Sequence, residues 1–178
     1  MELLRRERVV TLTPVPGLRS LVGEIAGPIR GSWWGHPKGG HIFAIATALE
    51  DSPEALSAKL VRGKVAFVHR TLWPVLLRVV LDPSWRKEAR HGLPTASEQL
   101  LDQVEEGGTL RLEGRAPARQ ELEKRALLLA TSEHTPSGRH AVVLRSWKHW
   151  APAALRKRAA ALDYDAALAE LRAAGLTL

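Results

Sequence analysis

The chain has 178 residues, 45% hydrophobic and 25% charged, and its 26 Lys and Arg against 19 acids give a formal charge of +7. It contains no cysteine, which excludes disulfides and thiolate metal sites and suits a reducing, cytoplasmic setting. No run approaches the roughly eighteen apolar residues of a membrane span, and the opening MELLRRERVV lacks the apolar core and cleavage site of a secretory signal. No membrane partner is therefore expected. One Met, no Asn and abundant Arg, Leu and Ala suit a GC-rich bacterial genome.

In chain order, RVVTLT reads as a short strand broken by Pro14 and Pro16. Leu18, Leu21, Val22 and Ile25 then recur at helical spacing over 17–26. The segment GSWWGHPKGGH, 31–41, leads into an apolar run that predicts a buried helix over about 40–50, closed by Asp51-Ser52-Pro53. LSAKLVRGKVAFVH predicts a hairpin about Arg62-Gly63, with Leu56, Ala58 and Leu60 on one arm and Val65 and Phe67 on the other. Thr71 is the candidate cap of the following helix, which buries Leu72, Val75, Leu76, Val79 and Val80 and carries Pro74 in its first turn.

DPSWRKEARHGLP, 82–94, reads as a polar linker. The second half opens on a capping box, Thr95-x-x-Glu98, and a helix through Leu100, Leu101 and Val104 that stops at Gly107-Gly108. TLRLE is strand-like, a helix is expected over 118–131, and HTPSGRHAVVLRSW reads as a turn and strand. A short amphipathic helix from Asp163 to Gly175 ends the chain.

The two halves resemble one another. GKVAFVHRT (63–71) and GRHAVVLRS (138–146) share Gly, Ala, Val and Arg in register, with Lys/Arg and Thr/Ser as chemical equivalents, and each leads to a Trp and then a Pro. No acid lies between Glu54 and Asp82 or between Glu133 and Asp163, so both hairpins fall in purely basic stretches, while the acids gather from Glu98 to Glu123. Such segregation focuses a positive field and attracts a polyanion. The expected fold is α+β: two tandem winged-helix-like halves, each helix, helix and β-hairpin, with a C-terminal helical tail. The halves are 1–92 and 93–151, the tail is 152–178, and the three pack as one compact unit.

This order of elements resembles tandem winged-helix DNA-binding proteins, including the bacterial winged-helix DNA glycosylases. The resemblance implies DNA binding, in repair or regulation. It carries no catalytic residues, because the Gln-x-Asp or Gln-x-Gln motif of those enzymes does not occur here. Nucleic acid, DNA foremost, is the expected partner.

The candidate contacts are Trp33, Trp34, His36, Lys38, Gly39 and Gly40 at the helix entrance, Arg62 and Lys64 in the first hairpin, and Arg139, Arg145 and Lys148 in the second half. A helix N-terminus with free N–H groups suits a phosphate, and glycine there permits close approach. Either Trp33 or Trp34 offers a face for a base, or the pair plugs the core; the residues leave both open. The alternative is a small enzyme acting on a nucleotide, nucleobase or phosphate, with His36, His41 and His69 as candidate acid–base groups. An adaptor docking its apolar tail on a protein is a third class. The seven histidines include no HExxH or His-x-His pair, so neither a metal nor any other cofactor is expected.

Overall fold

Apolar periodicity and capping chemistry set the elements of the first part of the chain. The computed structural model describes residues 1–113, 116–134 and 140–178. The chain divides into two units, Met1–Trp73 with Leu171–Thr177, and Pro74–Glu170 with Leu178. Among the described residues no helix is long and apolar enough to cross a membrane.

The first unit begins with α1 (Glu2–Glu7) and β1 (Val9–Thr11). Its next helix, α2 (Leu21–Ala26), starts later than the periodicity predicts, because the Ser20 hydroxyl caps it by accepting the Gly23 N–H at 3.0 Å, while Leu18 bridges to Val15. After a 3-10 turn at Trp33–Gly35 comes α3 (Gly39–Glu50), then β2 (Ala55–Val61) and β3 (Lys64–His69); the next helix, α4 (Trp73–Val80), has all but its first residue in the second unit. The sheet is antiparallel in the order β1-β3-β2. Its central strand places Ala66, Phe67 and Val68 at 0% exposure, and Phe67 packs with Leu4, Val10, Leu21 and Leu49.

Two expectations here are corrected. Helix α3 is buried on one side only: Ile42, Ala46 and Leu49 form the inward stripe, while Phe43, Ala44 and Ala48 are exposed. The turn before α4 is capped by His69, whose Nδ1 accepts the Thr71 N–H at 3.5 Å; Thr71 instead places its hydroxyl 3.0 Å from the same nitrogen.

The second unit contains α5 (Pro83–Arg90), α6 (Thr95–Gly107), β4 (Thr109–Glu113), α7 (Pro117–Lys124), β5 (Leu129–His134), β6 (His140–Arg145), α8 (Trp147–Trp150) and α9 (Ala153–Ala160). Of helix α10 (Tyr164–Ala173), Tyr164–Glu170 belong to this unit and Leu171–Ala173 to the first. The second sheet is antiparallel in the order β4-β6-β5. In both sheets, then, the last strand made is the central one, and it is the strand in which the two matched segments lie.

Three further expectations are corrected. The linker at 82–94 contains a helix, since Asp82 Oδ1 accepts from Ser84 N and Trp85 N at 2.9 and 3.2 Å and Pro83 occupies the first helical position. Arg86 pairs with Glu105 of α6, and Arg90 reaches Asp102 at 2.6 Å. The capping box does not form: Thr95 is already helical, and the cap is Pro94, whose carbonyl accepts from Ser97 and Glu98. The helix expected over 118–131 ends at Lys124; Ala126 turns the chain at φ 49°, and the apolar run that follows enters β5. A short apolar run reads equally as helix or strand.

Candidate nucleic-acid interface

The β2–β3 hairpin closes on the pair Val61↔Lys64, which leaves a two-residue turn at Arg62-Gly63. Both residues are left-handed, at φ 49° and 71°, the geometry that matches the twist of a hairpin. Gly63 adopts it freely, but Arg62 does so at a strain of about 1–2 kcal/mol. Asn or Asp would be the easy residue at that position. Arg62 and Lys64 are both exposed, and neither side chain forms a hydrogen bond or ion pair with another described residue. Several other cations of the chain are matched: Arg5 and Arg70 to Glu54, Arg19 to Glu24, Arg78 to Asp82. The tip of this hairpin is therefore a place where positive charge is held outward without an internal counter-ion.

The glycine-rich entrance to α3 is built differently from the expectation. The His36 carbonyl accepts the Gly39 N–H at 2.7 Å, and His36 Nδ1 accepts the Lys38 N–H at 3.1 Å. With Nδ1 accepting, the neutral ring carries its proton on Nε2. The Lys38 ammonium donates to the Ile25 carbonyl at 2.6 Å, closing the C-terminal end of α2. The Gly39 N–H is thus not free, and Lys38 serves the fold. A Cβ on Gly39 would sit 2.9 Å from the Trp33 carbonyl oxygen and 3.0 Å from that of Trp34, so this glycine exists for the close packing of the turn on the helix. Gly39→Ala is expected to lose about 1–3 kcal/mol, read as a lower urea midpoint; an unchanged midpoint would show that the turn yields without strain. Gly40 is exposed, and a Cβ there would meet nothing within 4 Å.

The tryptophan pair divides its roles. Trp33 is 8% exposed and packs with Val22 and Ile42, while Trp34 is 64% exposed. The rings stack at 4.1 Å and 24°, and Trp34 meets Phe43 at 5.6 Å and 44°. Sequence reading missed Phe43. The signal was present, since the stripe Ile42, Ala46, Leu49 leaves position 43 on the outward arc of the helix.

The three histidines are not joined in one hydrogen-bonded set. His36 binds its own turn, and His41 is exposed on α3. His69, 7% exposed, lies beside Thr71, with its Nε2 3.9 Å from Glu54 Oε2. Glu54 accepts from Arg5 Nε and Nη2 at 3.0 and 2.7 Å, and its Oε1 lies 3.4 Å from Arg70. Arg5 holds the Glu54 carboxyl below the usual carboxylate range, and burial pushes the His69 imidazole below the usual histidine range, against the pull of Glu54. Because His69 resists a proton that the unfolded chain accepts near pH ~6.5, the unfolded state binds more protons below that pH, and stability falls on acidification. The urea midpoint should drop between pH 7.5 and 5.5, and His69→Asn should flatten that dependence; an unaltered slope would remove His69 as its source. Among the described residues no three His, Cys, Asp or Glu converge to hold a metal ion.

In the second unit Arg145 lies half-buried at the end of β6, opposite Thr109 and Leu129. Lys148 is exposed on α8 and lines an open cleft of about 460 Å³ with His149, Arg156, Ser146 and Glu106. Arg156 Nη1 donates to the Lys148 and Ala151 carbonyls at 2.6 and 2.7 Å, which fixes that helix end. Arg139, and the pairing of Gly138 with Gly63, lie outside the described residues.

Comparison with protein families, with curated proteins and with solved structures finds no match to this chain in any of the three.

Proposed function

We propose that the protein binds nucleic acid, duplex DNA foremost, through tandem winged-helix modules whose hairpins set cations against the phosphates, in a repair or regulatory role. The observation that carries this reading is the hairpin tip: Arg62 sits exposed in a left-handed turn position, next to exposed Lys64. A residue kept in a strained conformation points to something other than turn stability. The shared strand order of the two sheets, with helices ahead of each hairpin, supports the module assignment. Helix α3 contains no Lys or Arg, so contact falls on the backbone and is insensitive to sequence.

The test sets stability and binding against each other. Arg62→Asn should leave the melting temperature equal or higher, because Asn suits the turn, while weakening binding to all duplexes alike. With Lys64→Ala added, the slope of log K against log salt should flatten by roughly 1.8, at about 0.9 per phosphate. Anisotropy titrations in which wild type fails to bind duplex at low salt would overturn the proposal.

A further inference from the structure

We infer that Trp34 and Phe43 form a stacking site for an unpaired nucleobase, giving the protein a preference for DNA that carries a single-stranded segment. The inference rests on the nucleic-acid reading above for its phosphate contacts, but it concerns different residues.

Trp34 is exposed yet backed by the core. One face of Trp34 lies on Trp33, itself 8% exposed and locked against Val22 and Ile42. Phe43, from the first turns of α3, stands tilted beside it at 5.6 Å and 44° and is 49% exposed, so the two rings make an open-sided wedge. Gly35 and Gly40 flank the rings in sequence, and a Cβ on either would meet nothing within 4 Å, so no side chain covers the backbone there. His41, exposed one position beyond Gly40, supplies a polar donor nearby in the chain.

Size and charge choose the occupant. From the usual areas of aromatic side chains, the two rings expose on the order of 250 Å², far short of the roughly 800 Å² that each partner of a stable protein interface contributes. The rest of the outward arc of α3 adds only Ala44, Thr47 and Ala48 before Glu50, with no further large apolar anchor. A single planar base fits that area, and stacking on an aromatic face is the sequence-tolerant way proteins hold single strands. The chain's charge of +7 favours the polyanion to which such a base is attached.

The experiment compares a blunt duplex with the same duplex carrying a dT overhang, by anisotropy, using the full chain. Wild type should bind the overhang DNA more tightly, and oligo-dT should quench its tryptophan emission. Trp34→Ala should remove the excess, roughly five- to a hundredfold, leave blunt-duplex affinity unchanged and lower the melting temperature by no more than a few degrees; Trp34→Phe should retain most of it. Arg62→Asn with Lys64→Ala should weaken both DNAs alike. If wild type shows no preference, or Trp34→Ala keeps it, the stacking site is overturned while the hairpin reading stands. If the overhang preference persists but the hairpin variant has no effect on either DNA, the hairpin reading falls and the stacking site stands. Loss of self-association in Trp34→Ala, with DNA binding intact, would assign the face to a protein contact and overturn the inference.

Discussion

Trp147→Ala should destabilise the second unit by about 3–5 kcal/mol, the range for deleting a buried tryptophan. Trp147 is 1% exposed, meets Trp150 edge-on at 5.8 Å, and donates its indole N–H to the Ala126 carbonyl at 2.7 Å. That carbonyl belongs to the left-handed turn residue between α7 and β5. The substitution therefore opens a cavity and strands a buried acceptor, itself a loss of about 1–3 kcal/mol. Trp147→Phe restores most of the volume and none of the hydrogen bond, so it should fall between the two. Against a typical total of about 5–15 kcal/mol, the alanine variant is expected to melt far below wild type. Urea unfolding followed by circular dichroism checks this; a loss under about 1 kcal/mol would mean the site collapses around the smaller side chain.

The second large effect separates two neighbours. Trp33→Ala should lose about 3–5 kcal/mol, because Trp33 fills the space between Val22 and Ile42 and backs the exposed ring. Trp34→Ala should lose less than about 1 kcal/mol, since a surface side chain has little area to give up. The same pair of melting curves thus assigns one tryptophan to the core and the other to the surface. Equal losses would show that the stacked pair is one structural unit.

How much of this was legible in the sequence depended on which force set each element. The Arg62-Gly63 hairpin was readable because turn chemistry and alternation agree there, and the stop at Gly108 because a left-handed glycine, φ 73°, ends α6. The helix over Pro83–Arg90 was passed over since it has no fully buried residue: only Trp85 and Ala89 lean on the core, and a cap with the pairing of Arg86 and Arg90 to α6 adds what apolar periodicity does not register. At Leu127, Leu128 and Leu129 the apolar run has no period, so pairing with β6 decided what composition left open. At the candidate site the cluster of Trp, His, Lys and Gly was visible, but its division of labour was not. Lys38 finds its partner in the Ile25 carbonyl, and Gly39 answers to the Trp33 and Trp34 carbonyls, contacts that only the folded chain creates.

Both sheets place their latest strand in the middle, and this orders events during synthesis. While β1 and β2 have emerged and β3 has not, the first sheet has none of its strand pairs, because among the described strands β1 and β2 each pair with β3 and not with one another. The same wait recurs for β4 and β5 until β6 appears. A nascent chain halted before Lys64 should hold helices without a sheet, and its edges, unable to meet one another, are then open to chaperones and to neighbouring chains. Closure comes as a single step when the basic hairpin turns back, so the segment that carries Arg62 also completes the first sheet.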